Sequence, residues 1–119
     1  MREGALQEKS FAFAVRIVKL RQYLSREKAE QAISKQLLRS GTAVGALVRE
    51  AEQAESRADF VHKLSIALKE ASETEYWILL LTEAGYLSAQ EMESIAADNR
   101  ELLKLLSSII NTTKKRMVR

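Results

Sequence analysis

Apolar residues recur every three or four positions along most of this chain, which is the spacing of one face of an α-helix. In the first stretch, Leu6, Phe13, Ile17, Leu20 and Leu24 are separated by seven, four, three and four residues. This spacing predicts a first helix over about 6–24. The chain contains no proline, so nothing in the sequence forces a kink or a sharp stop inside such a helix.

The first helix carries a second apolar strip beside the first. Phe11, Ala14, Val15 and Val18 form it. A helix that is apolar on more than one side must bury more than one side. We therefore expect the first face to enter the core, and Phe11, Val15 and Val18 to contact a partner subunit.

Three further helices follow from the same spacing, over about 28–55, 57–84 and 89–114. Ser56 and Asp59 nearly match a capping box at the start of the third helix, and Ser88 with Glu91 forms a complete one before the fourth. Short joints between long helices place sequential helices antiparallel. The sequence therefore predicts an all-α protein, an up-down-up-down four-helix bundle in a single domain spanning 1–119, with a frayed basic tail at 114–119.

Gly41 and Gly45 lie four residues apart in the predicted second helix. A glycine inside a helix costs about 1 kcal/mol relative to alanine. Close approach of another helix at a surface without side chains would offset that cost. We also expect Glu73 to face Arg39 or another basic residue across the bundle, as a structural ion pair.

Charge is unevenly distributed along the chain. Residues 1–50 contain ten Lys or Arg against five Asp or Glu, residues 51–100 contain four against ten, and residues 101–119 contain five against one. Basic residues on helix faces can follow a phosphate backbone, and the candidates are Arg16, Lys19, Arg21, Lys35, Arg39, Lys114, Lys115 and Arg116. The alternatives are a solvated surface of mixed charge and attraction between subunits.

Residues that could carry chemistry are few. His62 is the single histidine and cysteine is absent, so we expect no metal site, no cofactor and no catalytic residues. The longest apolar run, 77–81, is far below the ~20 residues that span a bilayer. We therefore expect no membrane partner. We also expect no small-molecule substrate, and the lack of cysteine fits a cytoplasmic location. Tyr76, Trp77 and Tyr86 could stack on bases or anchor a core or interface.

The central part of the chain resembles the four helix bundle protein family, first noticed in intervening sequences of bacterial large-subunit ribosomal RNA genes. The resemblance is carried by residues 35–46, 49–51, 54–56, 59–60, 63–71, 73–77 and 83–87. Two positions depart from the family pattern: Ala43 stands where serine is common and Leu47 where asparagine is common. These departures weaken any polar role at the two positions.

The resemblance implies an up-down four-helix bundle that assembles into a ring-like homopentamer. It also implies a relation to the accessory protein of diversity-generating retroelements, a basic pentamer that binds nucleic acid and a reverse transcriptase. It does not imply a known activity, and it gives no catalytic residues to carry over to this chain. Our leading hypothesis is a non-enzymatic oligomeric bundle that binds structured RNA or a nucleoprotein through basic helix faces. The alternative is a protein–protein scaffold with no role in nucleic-acid binding.

Overall fold

The computed structural model describes residues 4–118, which form four α-helices joined by short turns. They are α1 (Gly4–Glu27), α2 (Ala32–Ala51), α3 (Arg57–Glu83) and α4 (Ala89–Met117). Each helix packs against its two neighbours in a closed square, with contacts between α1 and α2, α2 and α3, α3 and α4, and α4 and α1. The predicted all-α, up-down-up-down four-helix bundle is thereby confirmed.

The bundle core consists of the apolar face of each helix, as the spacing along the chain predicts. In α1, Leu6, Phe13, Ile17 and Leu24 are buried. The other helices contribute Leu37, Val44, Val48, Leu64, Ile78, Leu81, Leu102, Leu106 and Ile110, among others. A few polar groups are buried with them, and the hydroxyl of Thr74 donates to that of Ser40 across the α2–α3 contact.

The two glycines of α2 lie where α1 comes close. A Cβ atom at Gly41 would lie 2.8 Å from a side-chain carbon of Ile17, and one at Gly45 would lie 3.2 Å from the backbone oxygen of Ser10. The absence of a side chain at both positions therefore lets the two helices pack closely.

The turn between α1 and α2 lies inside the predicted second helix, which begins at Ala32 rather than at Lys28. Ala29 adopts a left-handed conformation with φ of 54°, and the amide of Glu30 donates to the carbonyl of Leu24. This bond closes the end of α1 around Ala29, and it spans six residues, one more than the corresponding bond of a Schellman motif. The carboxylate of Glu30 then accepts bonds from the amides of Ile33 and Ser34 and so caps α2.

The other helix ends also differ slightly from prediction. Helix α2 ends at Ala51, not near residue 55, and Ser56 caps α3 by accepting from the amide of Asp59. Ser88 and Glu91 form the predicted capping box of α4.

The expected fraying of the basic tail is wrong as far as Met117, because α4 continues to that residue. Its last turn contains Lys114, Lys115 and Arg116, whose positive charges interact favourably with the negative end of the helix dipole. Arg119, the last residue of the predicted tail, lies outside the described residues.

Candidate interaction surfaces

The α1 strip, which we define as Phe11, Val15 and Val18, is exposed to solvent. The exposed fraction is 67% for Phe11 and 40% for each valine. On the side of α1 that faces α4, Arg16 and Lys9 pair with Asp98 and Glu101. The strip lies on the other side, towards α2, where Phe11 borders a shallow groove with Gly45 and Arg49.

A second group of exposed apolar side chains lies on α3. Tyr76 is 57% exposed and Leu79 is 48% exposed. The ring of Tyr76 meets that of Trp77 edge-on, with the ring centroids 5.0 Å apart, while Trp77 and Tyr86 pack against the core. Of the three aromatic residues proposed from the sequence, Tyr76 is therefore on the surface, whereas Trp77 and Tyr86 belong to the edge of the core. Leu79 was missed because it follows the periodicity of neither the core nor an aromatic cluster.

Three of the eight candidate basic residues are held in contacts between helices. The Arg16 guanidinium lies 2.6 Å from the carboxylate of Asp98 and also donates to the hydroxyl of Ser94. Arg21 donates to the hydroxyl of Ser34 at 3.0 Å, which ties α1 to the capped start of α2. These contacts give Arg16 and Arg21 a role in holding the bundle together.

Arg39 is the third. Its guanidinium lies 2.6 Å from Glu73 and 3.3 Å from Glu70, so the pairing of Arg39 with Glu73 that the sequence suggested is present. The Trp77 indole also donates to Glu73 at 2.9 Å. The bond from Arg39, followed by that from Trp77, holds the pKa of Glu73 below its ordinary value. The side chain of Arg39 remains half exposed, but its charge is balanced by the two carboxylates.

The other five candidates are Lys19, Lys35, Lys114, Lys115 and Arg116, and all are exposed. Within residues 4–118 none of them forms an ion pair. They do not form one patch, because the bundle places the end of α4 beside the start of α1 and far from the start of α2. The predicted basic face is thus divided between two ends of a molecule 51 Å long.

The residues that could carry chemistry are arranged as helix caps and surface groups. His62 is exposed on α3, and the Asp59 carboxylate accepts a bond from the amide of Glu55. Between residues 4 and 118, no three His, Cys, Asp or Glu residues are grouped as metal ligands. Within that same range, no helix is both long and apolar enough to cross a membrane.

An open cleft of about 810 Å³ lies at the end of the bundle where α1 begins. It is bordered by Leu6, Phe60 and Ile109 and by the turn that joins α2 to α3. The side-chain oxygen of Gln7 is buried at this end without a hydrogen-bond partner among the described residues. The sequence offered no signal for this cleft, because its shape depends on where α2 ends.

The chain is similar to known proteins over most of its length. The family model described as "23S rRNA-intervening sequence protein" matches residues 2–108. A crystal structure of a protein with unknown function from the S23 ribosomal protein family of Bacteroides thetaiotaomicron is 55% identical, with a TM-score of 0.92. The match covers 93% of this chain and 99% of the other. No curated protein matches the chain. With a family match of this extent, the chain belongs to the 23S rRNA-intervening sequence protein family.

Proposed function

We propose that this protein is a non-enzymatic helical bundle that assembles with copies of itself through the α1 strip. The observation that carries the proposal is the exposure of Phe11, Val15 and Val18 side by side on one helix. Single exposed apolar residues are common on soluble proteins, whereas contiguous groups mark interaction sites. The core of the bundle is complete without these three side chains, so folding of one chain does not account for them.

The energy available from the strip is sufficient to matter for assembly. Complete burial of a Phe or Val side chain contributes roughly 1.5–3 kcal/mol. Phe11 in addition has the aromatic character that is enriched at the centres of protein interfaces. The resemblance to ring-forming proteins favours five copies. The particle mass measured by light scattering would then be five times the 13.4 kDa of one chain.

Light scattering combined with size-exclusion chromatography tests this proposal. We expect the wild-type protein to be an oligomer at micromolar concentration, and the Val15→Glu/Val18→Glu variant to be a monomer because buried, unpaired carboxylates oppose association. The matched control is Ala12→Glu, which adds charge at an exposed position one helical turn from Arg16, whose side chain faces Asp98 of α4. We expect this variant to remain an oligomer. A monomeric wild-type protein contradicts the proposal.

A second candidate function is binding of structured RNA or of a nucleoprotein. Lys114, Lys115 and Arg116 favour it, because they lie together and exposed on the last turn of α4. The name of the matched family refers to 23S rRNA, and the related crystal structure is of a protein from the S23 ribosomal protein family. Assembly would strengthen such binding, since several weak sites on one particle act together.

Binding of a structured RNA measured at several salt concentrations tests this second function. Each phosphate contact adds to the slope of the logarithm of affinity against that of salt concentration. We therefore expect the Lys114→Ala/Lys115→Ala/Arg116→Ala variant to bind more weakly and with a shallower slope. Arg39→Ala is the control, because the charge of Arg39 is already balanced by Glu70 and Glu73. Equal affinity of the triple variant and the wild type would contradict a role for the tail.

A further inference from the structure

Helices α1 and α4 are joined differently from the other three neighbouring pairs of the bundle. A turn connects α1 to α2, α2 to α3 and α3 to α4, whereas α1 and α4 are the first and last helices and share no turn. They are also the neighbouring pair with the least contact. We call the line along which they meet the α1–α4 seam, and its residues are Lys9, Arg16, Leu20, Ile95, Asp98 and Glu101.

The other three contacts are close and are held by buried groups. The glycines of α2 bring its backbone against α1. Between α2 and α3, the hydroxyl of Thr74 donates to that of Ser40, and both side chains are completely buried. Between α3 and α4, the buried amide of Asn99 donates to the carbonyl of Ala71. Such bonds resist separation of the helices, because breaking one leaves a buried polar group without a partner.

The α1–α4 seam is held by groups that water can reach. In both of its ion pairs, about half of each side chain is exposed to solvent. Exposed ion pairs contribute little to stability and are weakened by salt. Beside them an open groove of about 480 Å³ separates the two helices, and Leu20 and Ile95 are among the residues that line it. The seam therefore offers less resistance to separation than the other three contacts do.

The contact between α2 and α3 lies opposite the α1–α4 seam in the square of helices. A small rotation at this contact would therefore separate α1 from α4 more than any other neighbouring pair. Besides the buried bond of Thr74, the contact includes the ion pairs of Arg39 with Glu70 and Glu73. It has the position and the strength to act as a hinge.

We propose that the bundle opens along the α1–α4 seam while the other three contacts remain closed, with the α2–α3 contact as the hinge. The pair α1–α2 and the pair α3–α4 then move apart as two units. The open form exposes apolar side chains such as Ile95, which is only 3% exposed in the closed form. Openings of part of a protein require less free energy than global unfolding. Salt favours the open form, because it screens the two ion pairs of the seam.

The rate at which iodoacetamide labels a buried cysteine tests this opening, since the natural chain contains no cysteine. Ile95→Cys reports on the seam, and Ser40→Cys reports on the α2–α3 contact. When reclosing is faster than labelling, the rate follows the population of the open form. We expect Ile95→Cys to be labelled about tenfold or more faster than its own global unfolding permits, as measured by urea unfolding. Ser40→Cys should be labelled no faster than its global unfolding permits.

The role of the ion pairs is tested in the Ile95→Cys protein. Asp98→Asn removes the pair with Arg16, and we expect labelling to become up to about fivefold faster, the ratio that the usual strength of an exposed ion pair allows. The dependence of labelling on salt should also become weaker. The matched control is Glu93→Gln, because Glu93 pairs with Arg100 within α4. It should leave labelling of Ile95→Cys unchanged.

Three results would overturn the proposal. Labelling of Ile95→Cys at only the rate of its global unfolding would show that the seam does not open separately. Equally fast labelling of Ser40→Cys would show that the α2–α3 contact is not a hinge. Equal acceleration by Asp98→Asn and Glu93→Gln would remove the role of the ion pairs. Leu102→Cys, one helical turn from Asp98 and also buried, replaces Ile95→Cys if that variant does not fold.

Discussion

Gly41 of α2 lies directly against Ile17 of α1. A Cβ atom at Gly41 would lie 2.8 Å from Cγ1 and 2.9 Å from Cγ2 of Ile17. Two non-bonded carbon atoms this close would clash, so either α1, α2 or the Ile17 side chain would have to shift. Ile17 is completely buried, and its branched side chain has little freedom to move aside. The close contact of α1 with α2, and with it the position of the α1 strip, therefore depends on a hydrogen atom at Gly41.

Overpacking a core usually costs about 1–3 kcal/mol, and alanine regains about 1 kcal/mol over glycine in a helix. Because the contact with Ile17 is so short, we predict that Gly41→Ala lowers the free energy of unfolding by a net amount of up to about 2 kcal/mol. Urea unfolding followed by circular dichroism measures it. Gly45→Ala is the comparison, and a smaller change is expected because its Cβ atom would lie 3.2 Å from the nearest atom. A Gly41→Ala protein as stable as the wild type would show that the helices separate at little cost.

The fold could be predicted because helix periodicity and caps are local signals. Leu6, Phe13, Ile17 and Leu24 define the buried face of α1 without knowledge of the other helices. The turn between α1 and α2 could not be predicted, since Ala29 is neither glycine nor asparagine and the cap is the side chain of Glu30. Its geometry arises from how α1 and α2 pack, and neither residue type is typical of a turn.

The candidate site was harder to predict, because charge on a helix face does not reveal its partner. Arg16 and Arg39 both look like free basic residues in the sequence. Their partners Asp98 and Glu73 are 82 and 34 residues away. Of these two pairs, the sequence suggested only that of Arg39 with Glu73. The residues of the α1 strip were found because an extra apolar strip on a helix is again a local pattern.

The left-handed conformation of Ala29 leads to a second prediction. A residue with a Cβ atom pays roughly 1–2 kcal/mol in that conformation and glycine does not. We expect Ala29→Gly to raise the free energy of unfolding by up to about 1 kcal/mol, part of the gain being lost to the greater freedom of the unfolded chain. The measurement is thermal and urea unfolding. Ala97→Gly, at an exposed position inside α4, is the control and is expected to destabilise by about 1 kcal/mol. Destabilisation by Ala29→Gly would contradict the assigned turn.

The ion pair of Arg39 with Glu73 predicts a dependence of stability on pH. The folded-state pKa of Glu73 is lowered by Arg39, so the folded protein holds the carboxylate ionised at pH values where the unfolded chain already binds a proton. The stabilisation is therefore fully present above the ordinary pKa of 4.5 and is lost as pH falls through the lower, folded pKa. Since both side chains are partly exposed, it amounts to less than ~1 kcal/mol.

Glu73→Gln removes this effect and makes the test specific. We expect the variant to be slightly less stable than the wild type at pH 7 and equally stable well below pH 4 (roughly the ordinary carboxyl range). Urea unfolding at a series of pH values measures the difference. Glu93→Gln is the control, because Glu93 pairs with Arg100 within α4 alone. A difference between Glu73→Gln and the wild type that is constant over this pH range would contradict the assigned role of the ion pair.

The last prediction concerns Asn99, which is completely buried in α4. Its amide nitrogen donates to the carbonyl of Ala71 at 2.9 Å, and its amide oxygen has no partner within residues 4–118. In Asn99→Asp the group nearest Ala71 can no longer donate when ionised, and a carboxylate is placed in the core without a counter-charge. We expect a loss of about 3–5 kcal/mol at pH 7, the scale of an uncompensated buried charge. Burial raises the pKa of such an acid, so the loss should shrink as pH falls below the ordinary carboxyl range.

Asn111→Asp, at an exposed position of the same helix, should change stability by less than ~1 kcal/mol at either pH. If Asn99→Asp lowers the stability at pH 7 by no more than Asn111→Asp does, the contact between α3 and α4 must admit water or a cation beside residue 99.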